Sequence, residues 1–441
     1  MQEYNLGNHT VQNPLEPSTI SLPSLQDNHT PIENIPILPL LEKDSNPSSD
    51  FLNTLNEIIK YHQHQHHGFF IPTIDVITVQ SYLKPIQLWC PILNESVMSS
   101  FLTQFKLESH LSLLYQYFLF GNGTFVNGLK TTLFSKQEGK IGLDFMGDCW
   151  PPRASDLHLA LRDLLLENEI EEENLITFHL SKTTKESPWV NPRAVEALDF
   201  LQLNYNASYP LNIVITPHVL DKYNRIFRFL LRLLRVTTVL KRSFERLKNL
   251  IWFRSETRDR IYRYRFQMDQ FMTAFQGYIQ TTAIDNTWKL FLRHIQENDR
   301  NDYLSVIMEP HSFRDYHEHI LDRILYQCFL KQSQIRILHE LLPVFNSIIS
   351  FSLVLDDYSP TTIEQENKLN TTCRHAFERY QHYSRVFINA LIQVDSKGSG
   401  SLRNILNSTR ISIFNDLYAK HEAKYGLDSF VKDLLTRLDG K

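Results

Sequence analysis

The sequence predicts a mainly α-helical protein with a few short strands, and three observations carry that expectation. Apolar residues recur at helical spacing in segment after segment, and the run from Thr216 to Phe266 joins a helix-start signal to sustained amphipathic periodicity. Strand-like patterning is confined to short pieces around Leu175 to Leu180 and Leu201 to Tyr205. With 441 residues, 42% hydrophobic content, 28 Phe and 19 Tyr, the chain can bury a large core and is long enough for two or three domains.

In chain order, residues 1–50 hold Pro14, Pro17, Pro23, Pro31, Pro36, Pro39 and Pro47 among Ser, Asn and Gln. Such a segment has neither a regular period nor enough apolar surface to offset ordering entropy, so a flexible tail is expected. From Phe51 the pattern turns helical, then meets Tyr61-His-Gln-His-Gln-His-His-Gly68. Imidazoles bind transition metals, but no thiolate or carboxylate stands at ligand spacing here, and the tract reads as a polar loop. Phe101, Phe105, Leu111, Leu114, Tyr115 and Phe118 keep helical spacing, and a second helix follows with Phe125, Val126, Leu129 and Leu133. Between them, Gly121-Asn-Gly123-Thr-Phe-Val126 imitates a dinucleotide loop, yet has Val at the third glycine position and follows a helix instead of a strand. Ser155 caps a helix carrying Leu157, Leu161, Leu164 and Leu165, and a first helical domain, 51–173, is expected to end near Glu173.

The second domain, 174–441, opens with the short strands, which the polar Ser181 to Pro192 loop separates, and Pro210 to Ile215 leads to the long helix. Thr216 supplies a capping hydroxyl and Pro217 suits the first helical position. Further helices are expected over Tyr264 to Phe291, Phe313 to Phe329, Gln334 to Leu355 and Asp428 to Leu438. Phe377, Tyr380, Ser384, Phe387, Leu391 and Val394 form a heptad-like seam. Lys397-Gly-Ser-Gly-Ser401 reads as a turn or link.

On the long helix Arg225, Arg228, Arg232, Arg235, Arg242 and Arg246 fall within an arc of about 100°, with Phe227, Phe229, Leu230, Leu231, Leu233, Leu234 and Val236 around most of the remainder. From Lys222 to Arg265 there are fourteen Lys or Arg against Glu245, Glu256 and Asp259, although the whole chain has formal charge -4. Two readings stand: a solvated face paired to acids on neighbouring helices, or a docking surface for an acidic partner, with the six arginines as contact residues. Phosphate also satisfies such a stripe. Nucleic acid fits less well, because the overall balance is not basic and no nucleic-acid module accompanies it.

Cys90, Cys149, Cys328 and Cys373 are far apart and form no CxxC pair, which predicts free thiols in a reducing compartment. The first residues, MQEYNLGNHT, lack a basic region followed by an apolar core, so no secretory leader is expected. The apolar run Leu341 to Leu355 is shorter than a membrane crossing and carries Pro343, Asn346, Ser347, Ser350 and Ser352, so it reads as a buried helix of a soluble, intracellular protein.

The segments that approach a catalytic signature each lack a required residue. His339-Glu-Leu-Leu-Pro343 has Pro where a zincin places its second His, and no GxxxxGK[ST] loop occurs. His311, His317 and His319 near Asp315, Glu318 and Asp322 form either an acid–base cluster or ordinary surface residues. No catalytic residue, cofactor or metal is assigned, and the reading is of a non-enzymatic binding or scaffold protein.

Several blocks resemble, in the right order, the gamma-tubulin complex proteins, the family that includes the yeast spindle pole body components. Tyr209-Pro-Leu-Asn-Ile-Val-Ile215 followed by Tyr223-Asn-Arg-Ile-Phe-Arg-Phe-Leu-Leu-Arg-Leu233 is similar to the family's Trp-Pro-Leu segment and Tyr-x-x-x-Phe-x-x-Leu-Leu helix, with Tyr209 in place of Trp. Arg263 to Ile279 resembles its segment rich in Phe, Gln and Tyr; Trp288 falls at its Asn-x-Trp block; His311 to Leu330 resembles its His-x-x-Phe-Leu and Cys-Leu-Leu block. Gly400 to Tyr418 resembles its terminal signature, from which Arg410-Ile-Ser-Ile-Phe-Asn415 departs. Gly121 to Leu133 looks closer to the fifth and sixth subunit types than to the core pair.

The resemblance runs from Leu83 to Tyr418 and implies an elongated array of helical bundles. Its N-terminal half, here shortened to 51–173, would pack laterally against other gamma-tubulin complex proteins, and its C-terminal half, 174–441, would bind gamma-tubulin. The implied function is a scaffold that templates microtubule nucleation at a microtubule-organising centre, spindle pole body or centrosome, in the cytoplasm and cytoskeleton, without membrane or nucleic acid as partner. Tubulins are acidic, which suits the arginine stripe. A helical adaptor for phosphate-rich or nucleic-acid partners is the alternative.

Overall fold

The computed structural model describes residues 74–134, 154–166, 175–180, 193–249, 255–296, 309–357, 363–396 and 430–438, with isolated positions at 56, 57, 60 and 191. The expectations for the Pro-rich tail, the histidine tract, Cys149, most of the 181–192 loop, the Lys397 to Ser401 link and the block from Gly400 to Tyr418 lie outside them. The chain divides into two compact units, Met1–Ile77 and Thr78–Lys441, and the second contains the fold that follows.

A π-helical turn, Val79–Leu83, leads into α1, Lys84–Thr103. Ile86, Trp89, Leu93 and Val97 of α1 are exposed, while Met98 and Phe101 are buried and Leu102 packs against the core. The single helix expected across Phe101 to Phe120 is broken: Lys106 adopts the left-handed conformation at φ 46°, and α2 begins afresh as Leu107–Phe118. An uninterrupted helix would set Phe101 and Leu107 roughly 120° apart around its axis. The turn lets both reach the interior.

The segment that imitated a dinucleotide loop is a helix start. Asn122 Oδ1 accepts the N–H groups of Thr124 at 2.9 Å and Phe125 at 3.2 Å, capping α3, Gly123–Phe134. Gly121 is required by its neighbour, because a Cβ there would stand 2.3 Å from the Tyr115 ring. In α4, Ala154–Leu166, Leu161, Leu164 and Leu165 are buried, and Ser155 lies inside the first turn instead of at its cap.

The strand-like pieces form one antiparallel pair, β1, Ile176–Leu180, and β2, Leu201–Tyr205, in register from Ile176 opposite Tyr205 to Leu180 opposite Leu201. The long helix is α5, Pro217–Asn249, and the Thr216 hydroxyl accepts the Val219 N–H at 3.3 Å, as its capping role requires. Tyr223, Ile226, Phe227, Phe229, Leu231, Leu233, Val236 and Leu240 are buried along it. Each such side chain contributes about 1.5–3 kcal/mol of transfer free energy, so α5 is held by its sides as much as by its own hydrogen bonds.

α6, Ser255–Gly277, passes through a π-helical stretch, Tyr278–Asp285, into α7, Asn286–Gln296. α8, Pro310–Gln327, ends where Phe329 takes φ 61°. α9, Ile335–Asp357, and α10, Ile363–Ser396, pack side by side, and α11, Phe430–Leu438, lies against α6 and α10. Phe377, Tyr380, Phe387 and Leu391 of the heptad-like seam are buried, with Tyr264 of α6 stacked on Phe377 at 4.2 Å between centroids. By composition a window within Pro310–Asp356 is apolar enough to cross a membrane, but Leu341, Val344, Phe345, Ile348, Ile349 and Leu355 are buried in the helical core, as the sequence predicts for this helix. One continuous apolar core joins the elements from α1 to α11. The protein is mainly α-helical, with this two-stranded sheet, as expected.

Candidate partner interface

The arginine stripe of α5 is engaged residue by residue with the chain's own groups. At its N-terminal end Arg225 is exposed and donates from Nη2 to the Leu330 carbonyl beyond α8. Half-buried Arg228 donates to the Asn224 carbonyl one turn back, at 3.3 Å. Burial lowers its guanidinium from the usual value, Asp199 and Asp221 opposing this and Arg232 and Arg225 adding to it.

Arg232 makes a two-pronged bond to Asp199, Nε to Oδ1 at 2.9 Å and Nη2 to Oδ2. Burial alone would lower this arginine, but the Asp199 hydrogen bond and charge, with Glu196, outweigh it and leave the guanidinium raised. Arg235 is 1% exposed and donates to the Ala194 carbonyl. Burial brings it down to about 10, with Glu196 and Asp199 opposing the fall. It presents no surface to a partner in this structure.

Arg242 and Arg246 share Asp356 at the end of α9, at 3.6 and 3.2 Å. Of the six residues, then, three are paired to acids of neighbouring elements and a fourth is buried on a carbonyl. Arg225 and Arg228 are the two whose guanidinium groups can turn to a partner without breaking an ion pair. Neither Asp199 nor Asp356 was singled out by sequence reasoning, because nothing local marks an acid on another element as the mate of a given arginine.

The histidine-rich stretch of α8 divides between core and rim. His317 is fully buried, its Nε2 is 2.8 Å from the Tyr223 hydroxyl, and burial, then Lys222, pushes it down to about 3. Burial also brings His319 down to about 4, with Arg323, Lys331 and Lys222 lowering it further against Asp322. His311 is exposed, and Asp315 pairs with Arg314 at 3.1 Å. Glu318 and Asp322 both meet Lys222 at 2.8 Å, and Asp322 also meets Lys331 at 3.3 Å. Burial raises Asp322, but these two lysines outweigh it and hold its carboxyl below the ordinary range. The acids of this stretch are thus paired to basic side chains, while His317 meets the Tyr223 hydroxyl in the core. Among the described residues, no group of three or more His, Cys, Asp and Glu is disposed to hold a metal.

A family model described as gamma tubulin complex component C-terminal matches residues 107–441, a span that begins inside the 51–173 segment. The chain is 23% identical over 338 residues to gamma-tubulin complex component 6 of Mus musculus, covering 74% of this chain and 18% of that protein. It is 30% identical over 152 residues to gamma-tubulin complex component 4 of Homo sapiens, covering 34% of this chain and 21% of that protein. Spindle pole body component 98 of Dictyostelium discoideum is 23% identical over 317 residues, 67% of this chain and 36% of that protein. The chain thus spans less than two fifths of the length of each of these relatives.

Proposed function

The chain belongs to the gamma-tubulin complex component family, and from that membership we propose that it is a non-enzymatic scaffold subunit that binds gamma-tubulin and helps to template microtubule nucleation. Its site of action in this reading is a microtubule-organising centre, a spindle pole body or centrosome, and its neighbours are sister subunits of the complex. The observation that carries the reading is the extent of the family match, which takes in every helix from α2 to α11 around the shared core. A continuous core of this kind holds surface elements at fixed spacing, which is what a template requires. Within the stripe, the reading assigns partner contact to Arg225 and Arg228 and a framing role to Arg232, Arg235, Arg242 and Arg246. A phosphate-binding adaptor is not favoured, because most of the stripe is already engaged with the protein itself.

The test is capture by the full chain of gamma-tubulin and of alpha/beta-tubulin, alongside the Arg225→Glu/Arg228→Glu variant. Selective capture of gamma-tubulin supports the scaffold, and its loss in the folded variant supports the two arginines. Capture that survives reversal retains the scaffold and moves the contact elsewhere. A folded chain that captures no gamma-tubulin overturns the proposal.

A further inference from the structure

The far end of α5 carries, beside the internally paired Arg242 and Arg246, further positive charge that is not absorbed by ion pairs. Lys241–Asn249 and Ser255–Phe266 hold eight Lys or Arg against Glu245, Glu256 and Asp259. Lys241 and Lys248 are exposed and Arg258 is half-exposed, and among the described residues none of the three makes an ion pair. Lys241, Phe244 and Lys248 share one face of α5, at spacings of three and four, and Arg258, Tyr262 and Arg265 share one face of α6.

These two faces meet. The Phe244 and Tyr262 rings pack edge to face at 6.0 Å. Lys248 Nζ and the Arg265 guanidinium each lie 4.5 Å from the Phe244 ring centre. Arg265 is further tied to the Leu240 carbonyl at 3.2 Å and to Asp269 at 3.6 Å, so it belongs to the frame. The result is an aromatic seam edged by cations, with Lys248 held in place by its seat on the ring.

We propose that this α5–α6 seam is a docking site for an acidic protein segment, with Lys241, Lys248 and Arg258 as its contacts. Charge complementarity selects the partner: three cations, with no acid among the described residues within ion-pairing distance, lower the free energy of a chain bearing carboxylates. A nucleic acid is a poorer occupant on two counts. The ring that would stack a base has two cations already against it, and Glu245, Glu256, Asp259 and Asp269 interrupt the long basic track that a phosphate backbone needs. The inference concerns residues outside the arginine stripe and does not depend on gamma-tubulin being the partner.

The experiment measures binding of a labelled poly-glutamate peptide to the full chain, with a glutamine version of the peptide and a DNA duplex as comparisons. Lys241→Gln/Lys248→Gln/Arg258→Gln is expected to weaken binding about tenfold, three rim charges each contributing a fraction of a kcal/mol. Glu245→Gln is expected to tighten it, and Arg374→Gln/Arg379→Gln, on α10, to leave it unchanged. Equal binding by the triple variant, equal loss in the α10 variant, equal affinity for the glutamine peptide, or stronger binding of the duplex would each overturn the proposal.

Discussion

Asn224 completes the edge of the two-stranded sheet from a helix. Its Oδ1 accepts the Leu203 N–H at 3.0 Å and its Nδ2 donates to the Leu203 carbonyl at 2.9 Å, so one side-chain amide satisfies both backbone groups of a strand residue. Only Asn offers that donor and acceptor at this reach. Asn224→Asp removes the donor and sets a carboxylate against a carbonyl, and is expected to cost about 1–3 kcal/mol in urea unfolding. An unchanged midpoint would show that the amide does not tie α5 to the sheet.

The Arg232–Asp199 pair is expected to matter more through its breakage than through its presence. Both side chains are largely withdrawn from water, at 18% and 10% exposure, so Asp199→Ala leaves a buried guanidinium without its carboxylate. The expected loss is about 3 kcal/mol, whereas the apolar double replacement Asp199→Leu/Arg232→Met should lose clearly less. The two denaturation curves check the order, and a double variant as unstable as the single one contradicts it.

Stability should fall on acidification through the window set by the α8 histidines. His317 and His319 titrate at about 3 and about 4 in the folded state, below the ordinary 6.5. Between those values and 6.5 the unfolded chain therefore binds more protons than the folded one. The stability associated with keeping these rings neutral is fully present above 6.5 and is lost as pH falls towards 3, at up to about 1.4 kcal/mol per pH unit for each histidine. His317→Gln should flatten the pH dependence of the unfolding midpoint between 6.5 and 4, a change that loss of packing alone does not produce.

Gly121 and Tyr115 should be energetically coupled. The Tyr115 ring stacks on Trp288 at 5.5 Å and its hydroxyl donates to Asp285 at 2.8 Å, so it has little freedom to retreat from an added methyl. Gly121→Ala is expected to destabilise by about 1–3 kcal/mol, and less in a Tyr115→Leu background. Additive effects of the two substitutions would remove the steric explanation.

Much of the architecture was legible because helical periodicity is a local property. The start of α5 at Thr216 and Pro217, the buried character of Leu341 to Leu355 and the seam of α10 all follow from residue type and spacing alone. The break at Lys106 was not legible, since Lys has no preference for a left-handed turn and only the burial of Phe101 and Leu107 together calls for one. Likewise His317 reads as polar in sequence, yet the folded chain surrounds it with Tyr223, Trp288 and Phe291.

What the sequence determined by itself was the helical class, the family and the concentration of positive charge on one long helix, because spacing and composition are written along the chain. Tertiary structure alone decided what that charge does. Asp199 and Asp356 stand 33 and 110 or more residues from their arginines, and Phe244 meets Tyr262 only across a helical hairpin. Whether a cation is spent inside the fold or left facing solvent depends on which distant group the packing brings within about 4 Å, and no local pattern encodes that distance.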